Sequence, residues 1–360
     1  MKKYLRIMMA FFIPMAIIAS CKKNSSGIIP PPVTGPFTKI DSTGAVNLSE
    51  ARLSLSAAGA GNKIVIAGGA PQGGGVSKVV DIYDVSTNTW TVAQLSEERL
   101  HTAAAAAGNK ILFGGGDNNT KTVDIYDVST NLWITSQFSA ARAGLAAAGA
   151  GNKVVFAGGY FGILLKTADI YDITTNTWTI SELSEARTGL SAAAAGNKIV
   201  FAGGTSVTGT SKTVDIYDVV TNTWTTAQLS EARSFIAAAG TGNKIIFAGG
   251  QTDGGGVSKV VDIYDVSTNT WTTAQLSEAK HLLAAAAGGN KIAIGGGYTA
   301  AGLTKSVDIY DVSTNVWTSS HLSEARGQLT AASTGNKLLF AGGTAIAGQS
   351  KTVDIFTLSR

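Results

Sequence analysis

The stretch SKVVDIYDVSTNTWT occupies residues 77–91 and recurs unchanged at residues 258–272. Within it VDIYD alternates Val and Ile with Asp and Tyr, the period of a half-buried β-strand. STNT supplies side chains that hydrogen-bond their own backbone in turns. Working outward from the first copy, the chain runs through LSEER to a small-residue run, TAAAAAG. It continues through GNK to a strand of the IVFAGG type, then a variable loop and the next VDIYD. The GN pair between apolar runs marks a tight hairpin, because Gly and Asn tolerate positive φ. Each module therefore predicts four short strands joined by tight loops.

The cation closing each LSEAR-like segment falls at Arg52, Arg99, Arg142, Arg187, Arg233, Lys280 and Arg326, at spacings of 47, 43, 45, 46, 47 and 46 residues. A repeat of this length is the size of a propeller blade, which needs neighbours to bury both of its faces. Alanine tracts such as residues 103–107 have high helix propensity. They are too short for a stable helix and run straight into Gly-Asn, so innermost strands with small side chains near a crowded axis are expected. The seventh module stops at DIFTLSR without a Trp, and residues 37–48 (FTKIDSTGAVNL) precede the first cation with nothing to pair. The expected fold is all-β: a seven-bladed β-propeller of four-stranded blades over residues 37–360. The N-terminal strand completes the last blade and removes exposed edges.

Several features recurring in phase resemble the kelch repeat. They are the double glycines (Gly68-Gly69 through Gly342-Gly343), the Tyr and Trp pairs (Tyr83 and Trp90 through Tyr310 and Trp317) and the basic residue leading into each unit. The resemblance spans about residues 37–360. Two departures are Asp, as at Asp81, where the family often has Glu, and the high alanine content. The tryptophans are expected to pack between blades and the glycines to allow close backbone approach.

The N-terminus carries Lys2, Lys3 and Arg6, then an apolar run from Ile7 to Ala19, too short to span a bilayer and of secretory-signal form. It ends in Ile18-Ala19-Ser20-Cys21, which resembles the lipobox of bacterial lipoproteins. That resemblance implies a signal peptide over 1–20, lipid attachment at Cys21 and an outer-membrane address, on the periplasmic side or the cell surface. Cys21 is the only cysteine, so no intramolecular disulfide forms. Residues 22–36, KKNSSGIIPPPVTGP, carry four of the six prolines and read as an extended tether reaching at most ~45 Å. The formal charge is +4, but three cations and no acid lie in the first twenty residues, and no basic block occurs elsewhere. Nucleic acid is therefore not an expected partner.

In an antiparallel blade with strands a to d, the uniform GNK and STNT turns share one face of the disc. The variable b–c loops share the other with the d–a segments that hold LSEAR, and a ligand site must break the sevenfold sameness. On that loop face the seven cations (Arg52, Arg99, Arg142, Arg187, Arg233, Lys280, Arg326) are expected at the mouth of the channel. The resemblance implies an anion pocket there. The competing reading pairs each with the acid two residues earlier, from Glu50 to Glu324, and is favoured. Arg142 lacks that acid, because Ala140 replaces it. The loop of blade 3 is the most apolar, with Tyr160, Phe161, Ile163, Leu164 and Leu165, and is the candidate contact for a protein or glycan partner.

His101, His281 and His321 fall in different modules, so no metal site is expected, and no cofactor or nucleophile–base pair is indicated. Copper oxidases that use kelch propellers need a Tyr–Cys crosslink, which the position of Cys21 removes. Periplasmic sialic-acid mutarotases are also kelch propellers and supply the alternative, a sugar mutarotase or epimerase. The preferred expectation is a non-catalytic, monomeric binding or scaffolding propeller displayed on the envelope.

Overall fold

The computed structural model describes residues 39–117 and 120–359. The expected signal peptide (residues 1–20), Cys21 and the expected tether (22–36) lie outside the described residues. From Lys39 onward the described chain forms seven four-stranded antiparallel sheets. Blade 1 is typical, with strand a at Ser56–Ala60, b at Lys63–Ala67, c at Val79–Asp84 and d at Thr89–Gln94. No α-helix occurs among the described residues; Asp253–Gly255 makes one short 3₁₀ turn. The alanine tracts are innermost strands, as expected: Ala103–Ala107 pairs with Lys110–Gly114.

Small side chains are obligatory on the inner strands. A Cβ added at Gly59 would lie 2.1 Å from the Ser333 carbonyl oxygen, and one at Gly149 2.1 Å from that of Ala106. Tertiary crowding thus overrides the helical preference of alanine. Between blades 1 and 2, Val65, Ala67, Val80 and Ile82 pack against Ile111, Phe113, Tyr126 and Val128. Each Trp packs on the Tyr of its own blade with ring centroids 4.8–4.9 Å apart. These tryptophans are half-buried and reach across the interface; Trp178 Nε1 donates to Ser136 Oγ of the preceding blade at 2.7 Å.

Blade 7 closes as the sequence predicts. Lys39–Asn47 pairs antiparallel with Thr352–Ser359, Lys39 opposite Ser359 and Asn47 opposite Thr352, with a bulge between Ser42 and Ala45. The chain enters this blade at Lys39, on the face of the GNK and STNT turns.

One expectation about those turns is corrected. In GNK only the glycine has positive φ, as at Gly61, in keeping with a II′ hairpin. The left-handed asparagine is that of STNT: Asn88 (φ 57) and its five equivalents. The Asn of GNK bonds instead to the last Asp of strand c, Asn62 Nδ2 to Asp84 at 2.9 Å. The same carboxylate accepts from the lysine opening strand b, Lys63 to Asp84 at 2.7 Å and Lys198 to Asp218 at 2.7 Å. It also accepts backbone N–H groups of the turn, such as Ser86 and Thr87.

Two predictions follow from this architecture. Deleting residues 39–47 exposes the edge of Thr352–Ser359, so the truncated chain should lose cooperative unfolding and self-associate, checked by thermal denaturation and size-exclusion chromatography. The second concerns acid. Hydrogen bonds from Lys63, Lys198 and Lys244 hold Asp84, Asp218 and Asp265 well below the usual carboxylate range. Asp127 is lowered to about 2, chiefly by Ser129. Values depressed in the folded state add stability that is fully present above the unfolded value near ~4 and is lost as pH falls through the folded values. Urea midpoints should therefore be flat from neutrality to about pH 5 and drop steeply between about pH 4 and pH 2.

Candidate functional site

The seven cations do not ring the channel mouth. Each is buried, with Arg52, Arg99, Arg187, Arg233, Lys280 and Arg326 at 0% exposure and Arg142 at 1%. Each forms an ion pair with the first Asp of strand c in its own blade: Asp81, Asp124, Asp169, Asp215, Asp262, Asp308 and Asp354 respectively. The physical reason is local. The guanidinium also donates to main-chain oxygens beneath it, Arg52 Nη1 to Gly68 O and Val79 O at 2.7 Å each, so its charge is satisfied inside the blade.

Pairing with the preceding Glu holds in part: Glu50, Glu185, Glu231 and Glu324 come within 3.7–3.9 Å of the arginine Nε, as longer contacts than those to the Asp. Glu50 approaches Arg52 Nε only to 3.8 Å, and that Nε makes no hydrogen bond. The Glu instead accepts a hydroxyl from the b–c loop: Ser77 to Glu50, Ser211 to Glu185, Ser258 to Glu231. Arg142 is not unpartnered, since Asp169 holds it and the Phe138 ring lies 4.9 Å from its guanidinium carbon. Blade 3 replaces both halves of the Glu–hydroxyl pair, with Ala140 for the acid and Leu165 at the hydroxyl position. Burial lowers the arginines from their ordinary value, Arg99 to about 10, while the acids beside them partly restore it.

The sequence missed these seven aspartates. A signal was present: the Asp recurs in all seven strand-c segments, including the truncated last one, as the cation does in all seven connectors. The Glu occurs in only six.

The mouth is made by the residue two places after each cation. In every blade it adopts left-handed backbone: Ser54 (φ 53), His101 (55), Gly144 (64), Gly189 (60), Phe235 (51), Leu282 (50) and Gln328 (52). Left-handed backbone is costly for Phe and Leu, about 1–2 kcal/mol each. What holds it is a set of hydrogen bonds from blade to blade at these positions. Gly189 N donates to Gly144 O at 2.9 Å, Phe235 N to Gly189 O at 3.2 Å, Gln328 N to Leu282 O at 3.0 Å, and Ser54 N to Gln328 O at 3.1 Å. The backbone repeats while the five side chains all differ, and blades 3 and 4 both carry glycine.

Above the channel five of these residues, Ser54, His101, Phe235, Leu282 and Gln328, help line an open cavity of about 510 Å³. Phe235, Leu282, Leu283 and Leu329 supply apolar wall, and Ser54, His101 and Gln328 supply polar groups. His101 Nδ1 lies 2.8 Å from Asp117. Glycine at 144 and 189 leaves the rim low on the side of blades 3 and 4. Tyr160 bridges Ala143 there and opens a small hairpin, Tyr160–Phe161 against Ile163–Leu164, whose Tyr160, Phe161 and Ile163 are exposed. Leu164 and Leu165 are half-buried beneath it. Deeper in, the channel wall is alanine, glycine and serine without a titratable side chain among the lining residues. No cluster of His, Cys, Asp and Glu able to hold a metal occurs among the described residues.

Two substitutions test this arrangement by urea denaturation. Asp215→Ala strands a buried guanidinium and should cost about 3–5 kcal/mol. Leu282→Gly relieves left-handed strain in the way blades 3 and 4 already do, and should stabilise by ~1 kcal/mol.

Comparisons with known proteins agree with the architecture. Residues 101–278 match a family model described as the KLHDC2/KLHL20/DRC7 Kelch-repeats domain. No curated protein matches the sequence. Among solved structures, one titled "Structure of YjhT" superposes with a TM-score of 0.58 at 16% identity, covering 72% of this chain and 94% of that one. At that identity the likeness concerns the fold.

Proposed function

We propose that this kelch-type propeller is a non-catalytic binding module whose ligand sits at the channel mouth. The observation that carries the reading is the seven-membered left-handed ring, where one backbone geometry presents five different side chains and two glycines. Strained bulky residues at a concave surface are a mark of a preorganised site. The chemistry there is aromatic, aliphatic and polar, with His101 held against Asp117. With the arginines withdrawn into ion pairs, a ligand at the mouth meets no guanidinium. This favours a neutral glycan or an uncharged apolar peptide segment over a sugar acid, and nothing at the mouth favours a mutarotase over a binder. The apolar hairpin Tyr160–Leu164 beside the low rim extends the surface for a larger partner.

The proposal includes display on the bacterial envelope through lipidated Cys21. Lys39 enters the disc on the turn face, opposite the loop face that carries the mouth. Labelled palmitate should be incorporated by the full chain and not by Cys21→Ser; equal incorporation would remove the anchor.

For the site itself, pull-down from envelope extracts and glycan arrays should show capture lost about tenfold or more in Phe235→Gly combined with Leu282→Gly, with no fall in melting temperature. Leu164→Asp should weaken capture of a protein partner only. Capture unchanged in both variants defeats the assignment. Arg142→Ala is unsuitable as a binding probe, because it breaks a buried pair and lowers stability.

A further inference from the structure

The geometry points to a second site, for a small monocarboxylate, in the cavity between blades 7 and 1 on the turn face. It uses none of the mouth residues. In six of the seven blades the lysine opening strand b meets the aspartate ending strand c: Lys63 and Asp84, Lys110 and Asp127, Lys153 and Asp172, Lys198 and Asp218, Lys244 and Asp265, Lys291 and Asp311. The Tyr of the following blade lies beside the pair, close enough for Lys63 and Asp84 both to act on the Tyr126 hydroxyl.

Blade 7 breaks the pattern. Its strand c carries Thr357 at the position where the others have Asp, and Lys337 Nζ donates to the Thr357 hydroxyl at 2.7 Å. Among the described residues no carboxylate lies within ion-pairing distance of Lys337, and a cavity of about 320 Å³ opens at this place. Its wall comprises Gly44, Ala45, Val46, Tyr83, Val85, Asn88 and Ile355 together with Lys337.

The cavity exists because the outer strand is borrowed. In blade 1, Ile82 faces Thr91 across strands c and d. In blade 7 the bulge between Ser42 and Ala45 falls opposite Ile355, and Gly44, at φ +117, has open space where a Cβ would be. A lysine that elsewhere in the ring holds a carboxylate thus borders a partly apolar hollow. A carboxylate with a short hydrocarbon or aromatic body matches both halves: the ammonium takes the anion that Asp supplies in other blades, and Val46, Val85 and Ile355 cover the body.

The test uses the full chain, with benzoate, benzamide and inorganic phosphate as probes in calorimetric titration. Benzoate should bind, with benzamide and phosphate each about tenfold weaker or worse, the difference expected for losing a charge-assisted bond or the apolar contact. Lys337→Met should weaken benzoate by a similar factor. Thr357→Asp should restore the pairing of the other blades, abolish benzoate binding and raise the melting temperature. Equal binding of benzoate and benzamide, phosphate binding as tight as benzoate, or undiminished binding in Thr357→Asp would each overturn the proposal. Thr357→Asp keeps the test decisive if Lys337→Met fails to fold.

Discussion

The connector crossing from one blade to the next is held by a buried ion pair. In blade 4, Asp215 takes the Arg187 guanidinium on one oxygen and the backbone N–H of Ser184 on the other, at 2.8 Å. The Arg187 main-chain oxygen meanwhile accepts from Gly159 N, the second glycine of the preceding blade, at 2.8 Å. One residue therefore ties three things: its own strand c, its own double glycine through Gly203 O, and the neighbouring blade. A buried pair of charges costs much in desolvation, and here every oxygen and most donors find a partner. Repeated seven times, with Arg52 O closing onto Gly343 N, the latch sets the angle between blades and so the closure of the ring.

The double glycines follow from the same latch. A Cβ at Gly158 would lie 2.7 Å from the Arg187 carbonyl oxygen, and one at Gly203 2.4 Å from that of Arg233. The connector can approach this closely only where no side chain intervenes. Blade 2 shows how far the packing adjusts around the latch. Phe138 replaces the leucine that other connectors place there, and Gly114 ends strand b where most blades have Ala. A Cβ on Gly114 would sit 2.3 Å from the Phe138 ring. Phe138 then packs on Phe156 and Trp178, with centroids 4.9 and 5.6 Å away, and faces Arg142.

With the connector fixed, the next two residues are free to vary in chemistry but not in backbone. That division separates a rigid scaffold from an adaptable surface. The latch absorbs the charge, leaving the mouth to Phe235, Leu282, His101 and Gln328. The blade that departs most from the repeat on the loop face, blade 3, departs in a correlated way: Ala140 and Leu165 together replace a half-buried acid and its hydroxyl. Losing both polar partners at once avoids leaving either one unsatisfied.

Blade number, strand order, the inner position of the alanine tracts and the pairing of residues 39–47 with the last blade were legible in the sequence. All rest on local periodicity and on counting what lacks a partner within a repeat. The fate of the cations was not legible that way. Glu50 and Arg52 are neighbours in the chain and invite pairing, but Asp81, twenty-nine residues on, is the neighbour in space. Nor did any motif announce the ring from Ser54 to Gln328, since its members share only a dihedral angle. Sequence shows which residues repeat; which of them meet, and which are left facing solvent, is set by the curvature of the closed disc, through contacts between segments far apart along the chain.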